Sequence, residues 1–316
     1  MPPGGRSCVS PMTSGVVSAS GGGGYDVLLD DGRTVHAVLR GRVKRQARVG
    51  DRVVIGDRVE VAEVEGSAED GDWSIEAVLP RASVITRQGH SEHRPKIIAA
   101  NLDRMFAVVA ARDPEPRLAQ LDRLLVIAEA NGIPATVVVN KVDLPDTEVP
   151  VERIRGVYEP LGYPVIPVSA ESHGGLDALR TALSRGTSAL IGASGVGKSS
   201  LLNALAPDLD LRVGELSRRV RRGRHTTVRS RLLALPFGGL VADTPGFGDV
   251  GVWGVPADEV EDCFPEIRER RAECRFRGCA HMAEPGCAVL EALEAGEIAR
   301  SRWESYAALR TDDGTG

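Results

Sequence analysis

Nine residues constrain this chain more than any others: Gly192, Ala193, Ser194, Gly195, Val196, Gly197, Lys198, Ser199 and Ser200, which follow a short apolar run. Their spacing is G-x-x-x-x-G-K-S, a loop whose glycines let backbone N–H groups close around a polyphosphate. The segment SSLLNALA that follows has helical apolar spacing, so its N-terminal dipole adds to the attraction for anions. Lys198 would reach the β- and γ-phosphates, and the Ser199 hydroxyl would sit on Mg2+. Such a loop sits between a strand and a helix of an α/β sheet, and the surrounding sequence has to supply one.

From about residue 81 the sequence alternates in the required way. Residues 104–111, 135–139, 164–168 and 239–242 read as strands, and 118–130, 151–161 and 175–183 as helices, the first of them closed by Asn131 and Gly132. The strand at 135–139 runs directly into Asn140, Lys141, Val142 and Asp143. In this N-K-x-D pattern the Asp143 carboxylate would accept both the N1 and N2 protons of guanine, a donor pair that adenine lacks. Asn140 would brace the loop and the N7 side of the base, and the Lys141 stem would lie over the ring. Ser169 and Ala170 would orient Asp143 and offer a backbone N–H to the guanine O6. Further on, Asp243 of the DTPGF stretch would hold Mg2+ through water, and the Gly246 N–H would meet the γ-phosphate. Between the phosphate loop and DTPGF lie Arg218, Arg219, Arg221, Arg222, Arg224, Arg229 and Arg231, an acid-free stretch that would bind phosphates and that also carries His225, Thr226 and Thr227. Thr227 is preferred to Thr226 as the residue that binds Mg2+ and senses the γ-phosphate. Phe247 stands where many nucleotide hydrolases carry a water-positioning glutamine, and His225 is the nearest alternative for that role, against the competing reading that it only contacts RNA or the loop backbone.

Ahead of this sheet, residues 1–14 are rich in Gly, Ser and Pro and read as a disordered tail. Short β-like runs follow at 15–19, 25–29, 34–39, 52–62 and 73–79, which suggests an OB-fold barrel over 15–80. Arg40, Arg42, Lys44 and Arg45 cluster in one of its loops and fit either a phosphate-backbone contact or a solvated surface. Behind the sheet, Cys274, Cys279, His281 and Cys287 form C-x4-C-x-H-x5-C, a donor set suited to a structural Zn2+. Helical runs at 259–271 and 288–309 complete a small unit at 253–316 and leave 81–252 for the nucleotide domain. No apolar run approaches the roughly 18–20 residues of a membrane span, and the opening residues lack a secretion signal. The expected location is therefore the cytoplasm. The net charge of −5 argues against bulk attraction to nucleic acid and confines any such contact to the local arginine clusters.

The order of the signals is circularly permuted: the base-reading loops come before the phosphate loop, and 225–227 and 243–246 come after it. With RGRHTT, DTPGF, the barrel in front and the Cys/His cluster behind, the chain resembles the small-ribosomal-subunit-dependent GTPase A (RsgA) family over about residues 15–310. The resemblance implies hydrolysis of the GTP β–γ phosphoanhydride, coupled to late maturation of the small (30S) ribosomal subunit and stimulated by it. It also implies GTP or GDP and 16S rRNA as ligands, one structural Zn2+, Mg2+ with the GTP, and His225 as the catalytic histidine. A monomer is expected. Two other readings compete: a nucleotide-gated RNA-binding module with negligible hydrolysis, which Phe247 favours, and an ATPase or kinase, which NKVD opposes.

Overall fold

The computed structural model describes residues 12–21, 23–40, 43, 52–64, 72–89, 92–145, 150–209, 230–243 and 255–311. Strands β1 (Thr13–Gly21), β2 (Gly24–Leu29), β3 (Thr34–Leu39), β4 (Arg58–Glu63) and β5 (Trp73–Val78) pair in the order β1-β2-β3-β5-β4. The sheet closes where β4 returns to β1, and every pairing is antiparallel except β3 with β5. Val17, Val27, Ala37, Val59, Val61 and Ile75 point inward and are fully buried, the alternation that a closed small barrel needs. This is the expected OB-like barrel, with two local corrections. Its first strand starts at Thr13, inside the stretch read as tail, because Thr13 and Ser14 pair with Val61 and Glu60. The strand expected over 52–62 begins only at Arg58. Gly56 turns the chain there with φ +85°, and a Cβ on it would lie 1.9 Å from the Ala100 carbonyl oxygen.

That close approach belongs to a hairpin not anticipated from sequence, β6 (Val84–Gly89) and β7 (Glu92–Ala100). Ile55 bridges to Ala99, the Asn101 amide donates to the Gly56 carbonyl at 2.9 Å, and buried Asp57 accepts two bonds from Arg81. The hairpin and the Arg81 pair thereby fasten the barrel to the chain that follows.

The nucleotide-domain sheet comprises β8 (Arg104–Ala110), β9 (Ala135–Asn140), β10 (Val165–Pro167), β11 (Thr187–Ile191), β12 (Arg231–Ala234) and β13 (Leu240–Asp243), in the order β10-β9-β8-β11-β13-β12. All neighbours are parallel except β12, a strand that sequence missed, which runs antiparallel to β13. Successive residues of β8 face opposite cores: Met105, Ala107 and Val109 one way, Phe106, Val108 and Ala110 the other. Helices α1 (Leu118–Ala130) and α2 (Val151–Tyr158) cover the first face through Leu121, Leu124, Leu125, Ile154 and Tyr158. Helices α3 (Leu176–Leu183) and α4 (Lys198–Leu205) cover the second through Leu176, Leu179, Leu183, Leu201, Leu202 and Leu205. Burial on both faces is why these strands read as continuous apolar runs. Ala19 of β1 pairs with Arg231 of β12, so barrel and nucleotide sheet are one hydrogen-bonded surface.

The C-terminal unit holds a 3-10 turn (Val260–Cys263) and helices α5 (Pro265–Arg270), α6 (Ala288–Glu294) and α7 (Arg300–Thr311). The run expected as one helix over 288–309 is thus two, separated at Gly296, which adopts φ +77°. Likewise, Phe264 leaves helical geometry between the turn and α5 and splits the helix expected over 259–271. Phe264, Ile267, Tyr306 and Leu309 pack on Val126, the face of α1 turned away from the sheet. No described helix is long and apolar enough to cross a membrane.

Candidate functional site

The parallel strands deliver the sequence motifs to one edge of the sheet, at their carboxyl ends, where open α/β sheets bind ligands. Gly192 follows β11, Asn140 ends β9, Ser169 and Ala170 follow β10 by one residue, and Asp243 ends β13. The phosphate-type loop needs its glycines for two distinct reasons. Gly195 and Gly197 have φ +87° and +94°, while a Cβ on Gly192 would lie 2.1 Å from the Val108 carbonyl oxygen. Ser194 and Gly195 are exposed at the tip, Val196 and Ser199 are buried, and Ala193, Lys198 and Ser200 are intermediate. The Lys198 ammonium donates to the carbonyls of Gly192 at 2.7 Å and Ala193 at 2.8 Å, which holds its charge at the mouth of the loop.

Asn140 joins the two halves of the site. Its amide nitrogen donates to the Val196 carbonyl in the phosphate-type loop at 2.8 Å, and its amide oxygen accepts the Ala170 N–H at 3.2 Å. One buried side chain therefore connects the loops after β9, β10 and β11. Lys141 follows in the left-handed region at φ +63°, its ammonium on the Asp113 carbonyl and its stem beside Gly197. Val142 packs against the core, and Asp143 stands exposed on the turn. The Ser169 hydroxyl accepts the Ser172 N–H at 2.9 Å and so stiffens its own turn, and the Ala170 N–H goes to Asn140. Asp243, the expected Mg2+ partner with Ser199, accepts a bond from Arg231 at 3.2 Å.

The expected catalytic residues His225, Thr227 and Gly246 lie outside the described residues, as do Thr226, Arg218, Arg219, Arg221, Arg222, Arg224 and Arg229. Arg42, Lys44 and Arg45 also lie outside them. Arg40 is exposed and paired with Glu76 at 2.8 Å.

Cys274, Cys279, His281 and Cys287, from separate turns of the C-terminal unit, bring one donor atom each within 4.8 Å of one another. Nδ1 of His281 lies 3.3 Å from the Cys287 sulfur and 3.6 Å from the Cys274 sulfur. The other ring nitrogen, Nε2, is buried without a hydrogen bond and faces the Glu261 carboxylate at 3.5 Å, the kind of outer group that can orient a ligating imidazole. Three thiols and an imidazole converging in this way can hold a metal ion. Burial pushes the Cys279 thiol up to about 12 and lowers the His281 pKa. A bound cation would favour the thiolates that burial opposes. Beside the cluster, burial would raise the Glu284 carboxyl, but the N–H groups of Ala280, Met282 and Ala283 outweigh it and bring it down to about 2. Cys263 is buried and is not one of the four.

The model of the RsgA GTPase family matches residues 78–253, more than half of the chain. This chain belongs to the RsgA GTPase family. A Gemmatimonas aurantiaca protein named small ribosomal subunit biogenesis GTPase RsgA is 46% identical to it over 305 residues, covering 96% of this chain and 98% of that protein. A Moorella thermoacetica protein of the same name is 40% identical, covering 90% and 92%. Among solved structures, YjeQ from Thermotoga maritima superposes with a TM-score of 0.81 at 33% identity, covering 97% of this chain and all of that one. YloQ, described as a circularly permuted GTPase, gives 0.74 at 29% identity, covering 98% and 97%. The permuted order read from the motifs is thus the order of the RsgA fold.

One contributor to this edge was missed in the sequence. Arg112 donates to the Pro145 carbonyl at 2.8 Å, and the Asp113 carbonyl receives Lys141, so the loop after β8 braces both ends of the 140–145 turn. The only sequence signal was a proline-flanked stretch, DPEPR, at the carboxyl end of an apolar strand. Arg231, read from the sequence as one of the phosphate-binding arginines, instead opens a strand and donates to Asp243 at 3.2 Å.

Proposed function

We propose that this chain hydrolyses GTP in the late maturation of the small (30S) ribosomal subunit, binding 16S rRNA and being stimulated by the subunit. The observation that carries the reading is Asn140, which ties the N-K-x-D turn to the phosphate-type loop so that one molecule can be held by both. Asp143 would take the guanine N1 and N2 protons, and the backbone of 192–197 with Lys198 would take the phosphates. Ser199, in the first turn of α4, offers Mg2+ a hydroxyl oxygen, Asp243 at the end of β13 would hold the ion through water, and Thr227 would complete the set. Mg2+ would neutralise charge on the β- and γ-phosphates. Gly246 would donate to the γ-phosphate, and His225 would position the attacking water in place of the glutamine that Phe247 replaces. In this reading residues 15–80 and the arginines of 218–224 face rRNA, 81–252 hold the nucleotide, and 253–316 are a metal-braced cap acting in the cytoplasm.

The direct experiment is phosphate release from GTP with and without purified small subunits. Stimulation by subunits is expected; turnover unchanged by them would refute the ribosomal assignment, and none in either condition would favour the nucleotide-gated binding module. His225→Ala is expected to keep GTP affinity within about threefold while stimulated turnover falls about 100-fold, in the range for loss of one positioned catalytic group. Unaltered stimulated turnover would remove His225 from the mechanism.

The metal of the Cys3His cluster is proposed to be a single Zn2+, since a closed set of three thiolates and one imidazole suits that ion. Elemental analysis of purified protein should find about one zinc per chain. Cys279→Ser should lose most of it, whereas Cys263→Ser should keep it. Equal loss from both would mean that the cluster is not the site.

A further inference from the structure

Arg231 occupies a junction that the reading above does not use. It is the first residue of β12, on the strand that leaves the arginine-dense segment, and it pairs across the barrel seam with Ala19 of β1. In the other direction it sits opposite Asp243 in the β12–β13 ladder, and its Nε donates to that carboxylate at 3.2 Å. The two side chains are 49% and 16% exposed, so the contact is half in solvent on the arginine side. Ion pairs with one partner this exposed hold weakly and are easily displaced. Asp243 is also the carboxylate that the proposed GTP site assigns to Mg2+ through water, and a hydrated divalent cation attracts a carboxylate more strongly than a half-solvated guanidinium does.

We propose that Arg231 is a positioning residue that competes with Mg2+ for Asp243. It holds the carboxylate in the metal's absence and is released, at the seam between barrel and nucleotide sheet, when the metal binds. The consequence is geometric. Loss of the Asp243 contact would free a cationic side chain on the strand of the nucleotide sheet that pairs with β1 of the barrel. Nucleotide loading and the charge at the barrel seam are coupled through two adjacent side chains, with no movement of either domain required. The proposal rests on the GTP reading of the site.

The test is equilibrium binding of a fluorescent GDP analogue titrated with Mg2+, in the wild type, Arg231→Gln, Arg231→Met and Arg231→Lys. Removing the competing cation should lower the Mg2+ concentration at half-saturation about three- to fivefold in both neutral variants, the scale of a weak ion pair. Arg231→Lys, which keeps the charge, should stay near the wild-type midpoint. Tight nucleotide binding with the same midpoint in all four proteins would overturn the competition. An equal shift in the lysine variant would overturn it too, by showing that the side chain acts through shape. Absence of analogue binding by the wild type at any Mg2+ concentration would instead bring down the nucleotide site itself, and the proposal with it.

Discussion

Arg302→Ala is expected to cost about 3–5 kcal/mol of stability, the penalty for breaking a buried ionic network by removing one member. Arg302, on α7, is 1% exposed, and its guanidinium bonds Glu266 of α5 through two nitrogens at 2.7 and 3.2 Å and Asp122 of α1 at 2.8 Å. Asp122 is itself fully buried and also accepts the Tyr158 hydroxyl at 2.7 Å and the Ser305 hydroxyl at 2.6 Å. Burial opposes the arginine's charge, but the two carboxylates outweigh it and keep Arg302 cationic. The guanidinium also lies 4.5 Å over the Phe264 ring, so its removal would open a void among aromatic residues as well. Because α1 and α2 belong to the nucleotide sheet and α5 and α7 to the C-terminal unit, this network fastens one to the other. Urea unfolding of the variant should show a lower midpoint or a separate early transition, and limited proteolysis should detach the segment after 255 first. A loss below about 1 kcal/mol would mean that the remaining contacts, among them the packing on Val126 and the Arg268–Glu129 pair at 3.0 Å, hold the two units together.

How much of this was legible in the sequence depended on how each element is buried. β8, β9 and β11 are covered on both faces and read as unbroken apolar runs, and the Asn131-Gly132 stop ended α1 where the chain does, Gly132 lying at φ +62°. The phosphate-type loop and N-K-x-D turn were readable because their chemistry fixes residue types at fixed spacing. The Cys3His set was readable for the same reason, although its convergence within 4.8 Å needed three-dimensional structure. What failed was context-dependent. β6 and β7 carry Arg87, Glu92, Arg94 and Lys96, so no apolar alternation marked them as strands. β12 contributes only four residues and follows a basic stretch, and its pairing with both β13 and β1 is a property of the assembled sheet. Gly56 and Gly296 each looked tolerable inside a regular run. Gly56 breaks its run through tertiary packing on the Ala100 carbonyl, which local propensity does not record. A Cβ on Gly296, by contrast, would meet nothing within 4 Å, and this glycine ends α6 as a local left-handed cap, with the Glu297 N–H on the Ala292 carbonyl. The role of Asn140 was partly foreseen: it was expected to brace its own loop, and the structure extends that brace to Val196. The Ser169 hydroxyl accepts the Ser172 N–H, a brace on its own turn that no residue spacing announces.

The claim on which the account rests is that the exposed carboxylate of Asp143 and the loop carrying Lys198 grip a single guanine nucleotide. Exchanging that carboxylate for an amide replaces one acceptor oxygen with a donor, which opposes the guanine N2 amino group and complements the O2 of xanthine. The decisive measurement is therefore competition binding of GTP, xanthosine triphosphate and ATP to the wild type and to Asp143→Asn. The account predicts that the substitution weakens GTP at least about 100-fold, equivalent to about 2.7 kcal/mol. Xanthosine triphosphate should become the preferred ligand and ATP should stay poor in both proteins. Undiminished GTP affinity in Asp143→Asn, with no gain for xanthosine triphosphate, would contradict it.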